Sequence, residues 1–211
     1  MLKIFVGGRS VKINRYLLPR IIAKIKNRVI DVIYSGTFLG GTIEPVTEDA
    51  YDTQSSDYKV LEWLFDKVSI DANDVIVDVG CGKGRVLLWL INNDYHNKLV
   101  GVELNEEIAD KTKQRLSQYP NITIIAGSIL ENIPEDATVF YLFSPFNEKI
   151  TAEFKEKLSA KPNITIIYSN ATHVDVFKDD DNWDVTEYDV TIPVAGIENY
   201  PAAIITTKAN K

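Results

Sequence analysis

Eight consecutive residues, Asp78-Val79-Gly80-Cys81-Gly82-Lys83-Gly84-Arg85, join a carboxylate to three alternating glycines where an apolar run, VIVDVG, gives way to a helical one, RVLLWLINN. Glycines at a strand-to-helix turn let the backbone approach a ligand closely and permit positive φ, while the helix start offers unpaired N–H groups. The spacing sets this turn apart from the dinucleotide fingerprint G-x-G-x-x-G, because the third glycine comes one place early. Asp78 puts a negative charge at the rim of the turn, which suits the ammonium end of an amino-acid-bearing cofactor and has no use beside a pyrophosphate. Glu103 closes the next apolar run, 21 residues after Gly82, where a carboxylate can accept hydrogen bonds from both hydroxyls of a ribose. Without these flanks, the glycines would be an ordinary tight turn.

The elements around the turn alternate. Apolar runs at 75–80, 98–104, 122–128, 139–144 and 164–170 are separated by helical stretches at about 84–93, 106–118 and 147–159. Strands so apolar along their whole length are covered on both faces, which predicts a parallel sheet with helices on either side. The tail differs: WDVTEYDVTI and AAIITTK flank PVAGIENYP with no helix between them, so a hairpin should add an antiparallel strand at one edge. Upstream, a helix is expected over about 57–68 with Ser56 as N-cap.

VDVGCGKGRVL, GVELN and AGSILE resemble the glycine motif, the acidic position after it and the third-strand loop of class I S-adenosylmethionine-dependent methyltransferases. The resemblance covers about residues 50–208. DVIVDVGCGKGR, with Ser56-Asp57-Tyr58 upstream and LFSPF downstream, is similar to a bacterial subgroup whose usual motif there is Asn-Pro-Phe. It implies an α/β fold with a Rossmann-like, seven-stranded, mostly parallel sheet, helices on both faces, the last strand antiparallel, and here an N-terminal helical extension. S-adenosyl-L-methionine is the implied cofactor, with Gly80, Cys81, Gly82 and Gly84 lining it and Asp78 and Glu103 holding it. Ser128 and Ile129 would flank the adenine, although the family often has Asp at the Ser128 position.

On the acceptor side, Ser144-Pro145-Phe146 resembles a shortened form of the motif with which amino-group methyltransferases orient an NH₂ group. It has one proline where that motif has two, which favours nitrogen over oxygen only slightly; the plainer reading is a strand-ending turn with a core phenylalanine. His173 follows the fifth strand on the cofactor side, where an imidazole can accept a proton near neutral pH. His96 falls at the opposite end of the sheet and is expected at the surface. Tyr200 and Glu198 are expected in the hairpin loop, with Tyr200 an acceptor contact alongside Tyr51, Thr53 and Tyr58. No His/Cys/Asp cluster has metal-ligand spacing, so no metal is expected. The expected reaction is methyl transfer to a small-molecule or protein acceptor. The alternatives are a non-catalytic module that binds S-adenosylmethionine or S-adenosylhomocysteine, and a nicotinamide-dependent oxidoreductase, which the glycine spacing disfavours.

Residues 1–30 carry eight Lys and Arg and no acid, leaving 15 basic and 30 acidic residues, a net −15, in the remainder. An acidic body argues against a broad nucleic-acid surface. A single cysteine, no leader-like apolar run at the start and no uninterrupted spanning stretch lead to the expectation of a cytoplasmic protein. The chain divides at residue 50: residues 1–50 form a helical extension and loop that could act as a lid, and 51–211 the methyltransferase domain. Within the extension, Ile21, Ile22, Ile25, Val29, Val32 and Ile33 recur at helical spacing from about Leu18 onward, with Arg20, Lys24 and Arg28 as a second stripe. Two readings stay open: a helix packed on the domain with a solvated basic face, or a surface helix that meets an acidic partner or an anionic membrane surface. The oligomeric state is not legible.

Overall fold

The structure, a computed structural model, describes residues 2–6, 9–13, 16–43 and 53–208, with the strands before residue 16 and between residues 42 and 54 as backbone only. In chain order, β1 (Leu2–Val6) and β2 (Arg9–Ile13) pair as a hairpin before α1 (Leu17–Ser35). β3 (Thr42–Ile43) and β4 (Thr53–Gln54) form a second short pair ahead of α2 (Tyr58–Phe65). There follow β5 (Val75–Val79), α3 (Arg85–Asn92), β6 (Lys98–Glu103), α4 (Glu106–Leu116), β7 (Ile122–Ala126) and β8 (Val139–Phe143). The chain continues through α5 (Glu148–Ser159), β9 (Thr165–Ser169) and the one-turn α6 (Asp175–Lys178) into a long hairpin of β10 (Trp183–Ile192) and β11 (Ile197–Thr207).

The strands β10-β11-β9-β8-β5-β6-β7 lie side by side in that order, parallel except for β11, which runs antiparallel to both β9 and β10. The chain leaves β5 in one direction to β6 and β7, then returns to lay β8 on the other side of β5. The order reverses at β5, and ligands of open α/β sheets bind beyond the carboxyl ends of the strands at such a point. Strand apolarity builds two cores. Ile76, Leu99, Tyr141 and Ile167 pack with residues of α2, α3 and α4 on one face. Val77, Val100, Phe140 and Ile166 pack with Phe154, Leu158 and Phe177 on the other.

Two expectations are corrected, and one of the open readings is excluded. Asp57, not Ser56, caps α2, its carboxylate accepting from the Lys59 amide at 2.8 Å; Ser56 Oγ bonds the Tyr141 hydroxyl instead. The second hairpin strand begins at Ile197, so Glu198 and Tyr200 lie in β11, and the turn is the 3-10 segment Pro193–Ala195 with Gly196. Pro201 suggested a loop, but β11 meets β9 only from Ala202 onward, so proline's missing N–H falls where the ladder to β9 has not begun. Finally, α1 does not bury its aliphatic stripe: Ile21, Ile22, Ile25, Val29, Val32 and Ile33 face outward. Ala23 and Asp31 are its buried residues.

Candidate active site

The glycine turn is held from behind. Gly80 and Cys81 donate their amides to the Val102 carbonyl at 2.8 and 3.1 Å, and the Gly82 amide donates to Glu103 Oε2 at 2.8 Å. From α4, Thr112 Oγ1 donates to the Gly82 carbonyl at 2.8 Å and Arg115 to the Lys83 carbonyl at 3.1 Å. Gly82 has φ +50°, in the left-handed region that side chains strain. At Gly84 a Cβ would stand 2.9 Å from Leu116 Cδ1, so the third glycine is where the turn presses on α4.

Asp78 and Glu103 end neighbouring parallel strands, and both are buried. Their hydrogen bonding differs. Glu103 accepts from Gly82 through one oxygen and from the Asn105 amide through the other, at 2.9 Å. Oδ2 of Asp78 is buried with no hydrogen-bond partner among the described residues. Burial, and secondarily the Glu103 charge, push the Asp78 carboxyl up to about 8. Cys81 turns its side chain into the core: a Cβ on Gly101 would stand 2.7 Å from its Sγ, and burial, with Asp78 and Glu103 next, raises its thiol well above the ordinary range. Only backbone is left at Cys81 to face a ligand.

Just after β8, Pro145 abuts the glycine turn, its Cβ 3.5 Å from where a Cβ on Gly80 would be. Ser144 holds φ +40°, and its hydroxyl lies 2.5 Å from the Asn170 carbonyl, to which it donates, and 2.8 Å from Thr172 Oγ1. Phe146 leans on Phe154 in the second core, ring centroids 5.8 Å apart, as in the plainer reading of the motif. The half-buried His173 lies in the turn leading to α6, where its carbonyl accepts from Val176. Tyr200 packs on Phe143, and its hydroxyl meets Ser169 Oγ at 2.7 Å; burial raises that phenol. Ser128 accepts from the Leu130 amide at 3.2 Å, and Ile129 is buried in the same core as Val79 and Val102.

Of the three upstream residues expected near the acceptor, only Tyr58 has a described side chain. The Tyr58 hydroxyl donates to Asp31 Oδ1 at 2.7 Å, beneath α1. Thr53 is seen as backbone in β4, and Tyr51 lies outside the described residues. His96 is exposed, as expected. Sequence reasoning passed over Leu104, an exposed aliphatic residue directly after Glu103, where an apolar base could rest. Its signal was an apolar residue placed beyond the end of a strand. No group of three or more His, Cys, Asp or Glu suited to a metal occurs among the described residues.

Residues 76–160 match the family model described as a methyltransferase domain. Among curated proteins, the chain is 26% identical over 88 residues to a protein-lysine N-methyltransferase of Saccharolobus islandicus, covering 40% of this chain and 55% of the relative. It is 29% identical over 84 residues to the ribosomal RNA small subunit methyltransferase A of Thermotoga petrophila, covering 39% and 32%. The chain thus spans about half or less of the length of the curated relatives it matches. Among solved structures, a methyltransferase from Pyrococcus furiosus aligns with a TM-score of 0.63 at 11% identity, over 90% of this chain and 98% of that one. An RNA methyltransferase from Salinibacter ruber in complex with S-adenosyl-L-homocysteine aligns at 0.58 and 14%, over 74% and 95%. These two share the fold, a Rossmann-like methyltransferase sheet. Residues 76–160 thus resemble a methyltransferase domain, and the cofactor such a domain implies is S-adenosylmethionine.

Proposed function

We propose that the chain transfers a methyl group from S-adenosylmethionine to a nitrogen of a protein or small-molecule acceptor. The observation that carries this reading is Asp78 Oδ2, a buried carboxyl oxygen left without a partner among the described residues at the carboxyl end of the sheet. Such a group needs an explanation, and the cofactor's ammonium supplies one. The residues fit the rest: Glu103 for the ribose hydroxyls, Gly80, Gly82 and Gly84 with the Cys81 backbone for close approach, and Ser128 and Ile129 with Leu104 for the adenine.

A sulfonium carries an activated methyl group, so the protein's task is to orient an acceptor and exclude water. Ser144 and Pro145, beside the glycine turn, are assigned to the acceptor with Phe146 behind them. His173 would take the acceptor's proton, and Tyr200 would border the pocket. Tyr51 and Thr53 join them if residues 1–50 close as a lid; Tyr58 would then support the lid through Asp31. The net −15 outside the first thirty residues suits a cationic acceptor such as a lysine, in keeping with the protein-lysine relative. A second reading, an RNA base as acceptor, draws on the ribosomal RNA relatives and has that same acidic surface against it.

Isothermal titration tests the cofactor: S-adenosylmethionine should bind and NAD should not, and the reverse preference would sink the proposal. A radiolabelled methyl-transfer screen of cell extract, split into protein, nucleic-acid, lipid and small-molecule fractions, tests the acceptor. Label in the nucleic-acid fraction would select the second reading. No label in any fraction despite tight binding would select a non-catalytic binding module.

A further inference from the structure

α1 presents water with a surface that a solvated helix has no reason to carry. Ile21, Ile22, Ile25, Val29, Val32 and Ile33 are 40% to 71% exposed. At 3.6 residues per turn these six fall within one arc of about 120°. Lys24 and Arg28 run along one border of the arc and Lys26 along the other, all three exposed. The helix's one acid, Asp31, is fully buried on the opposite side.

The helix is also fixed in this orientation. Near its start Arg20 Nε donates to the Gly196 carbonyl at 2.7 Å, and a Cβ on Gly196 would stand 2.4 Å from Arg20 Cγ. Near its end Asp31 is paired with Arg85 of α3. With both ends tied through its polar side, the aliphatic face cannot roll inward without breaking both attachments.

We propose that α1 is an interfacial helix that lays this face on an anionic lipid bilayer. Contiguous exposed aliphatic residues mark an interaction surface, and a cationic border on each side matches acyl chains beneath anionic headgroups. Lysine and arginine stems can follow the apolar surface while their charges reach the headgroups. A second copy is the poorer occupant, because both borders are cationic and self-pairing would set like charges together. The helix lies on the membrane rather than through it: among the described residues no helix is long and apolar enough to cross.

Flotation of the full chain with vesicles tests this. Wild-type protein should rise with phosphatidylglycerol/phosphatidylcholine vesicles, remain below with phosphatidylcholine alone, and bind less as salt is raised. Ile25→Asp with Val29→Asp should lower the floated fraction about tenfold or more while S-adenosylhomocysteine affinity stays unchanged. Lys24→Glu with Lys26→Glu, which leaves the aliphatic face intact, should do the same for anionic vesicles should the first pair fail to fold. Wild-type protein that stays below with anionic vesicles overturns the proposal, including the case where sedimentation finds α1 buried between two copies. So does flotation of both variants equal to wild type.

Discussion

Asp31 and Arg85 meet through two bonds, Nε to Oδ1 at 2.9 Å and Nη2 to Oδ2 at 2.6 Å, in a pair almost wholly shielded from water. Arg85 opens the helix that follows the glycine turn, so this pair ties the N-terminal helix to the element that would cradle the cofactor. The Tyr58 hydroxyl and the Leu39 amide also donate to Asp31, and the Ser56 carbonyl accepts from Arg85. Asp31→Asn should destabilise the fold by about 3–5 kcal/mol, because it strands a buried guanidinium. Urea unfolding measures this, and Asp31→Leu combined with Arg85→Met should lose less than the sum of the single changes.

Asp78 predicts a pH dependence with a definite sign. Its carboxyl lies near 8 in the folded chain against an ordinary 3.8, so between these values the folded state keeps a proton that the unfolded state has released. This contribution to stability is complete below about pH 4 and is lost as pH rises through 8. Asp78→Asn should flatten the loss, raising Tm at pH 8 by about 2–4 °C for each kcal/mol recovered. A Tm–pH profile unchanged by the substitution would contradict the assignment.

Cofactor binding requires the same carboxyl to ionise against the ammonium. At pH 7 each molecule of S-adenosylmethionine bound should therefore expel about one proton, read from titrations in buffers of different ionisation heat. In Asp78→Asn the release should vanish and affinity should weaken by about 1–3 kcal/mol.

Glu103→Ala should also cost about 1–3 kcal/mol of cofactor affinity but, unlike Asp78→Asn, should lower the stability of the free protein. The Gly82 and Asn105 amides both lose their acceptor. Gly82→Val should abolish binding, since valine resists a φ of +50° where the cofactor needs room. Calorimetry and thermal melting separate these outcomes.

The Lys83 ammonium reaches the Gly40 carbonyl at 2.9 Å, and Ser55 Oγ reaches that of Leu39 at 2.8 Å, so the segment after α1 leans on the glycine turn. If it closes as a lid, hydrogen exchange in residues 36–58 should slow on adding S-adenosylhomocysteine, with residues 20–34 little changed. Equal exchange with and without ligand, or full turnover after removal of residues 1–50, would count against closure.

The sheet was legible because β5, β6, β8 and β9 are apolar runs cut off by turn residues, and a strand covered on both faces has to read that way. Asp78, Glu103 and the glycines could be placed together from the sequence because they fall at the carboxyl ends of two adjacent runs and in the turn after the first. Periodicity left α1 open between two readings for a physical reason: spacing shows that a helix has an apolar face, not what the face rests on. The ion pair of Asp31 with Arg85 left no local mark either, since its partners are 54 positions apart. Tyr58 looked available for an acceptor only because its commitment to Asp31 is equally non-local.

Although β11 follows β10 in the chain, it lies between β10 and β9, and β10 reaches the sheet through β11 alone. The two are joined by a tight turn, so they can zip together locally before either meets the rest, on a timescale of about 1–10 μs. The pair then docks as a unit, closing a loop that reaches back to β9, and such non-local pairing is slow. Until it docks, the bare rim of the growing sheet is β9, whose TIIYS sequence is buried almost throughout once folding is complete. Freshly made chains would therefore be most prone to sticking to one another at Ile166, Ile167 and Tyr168.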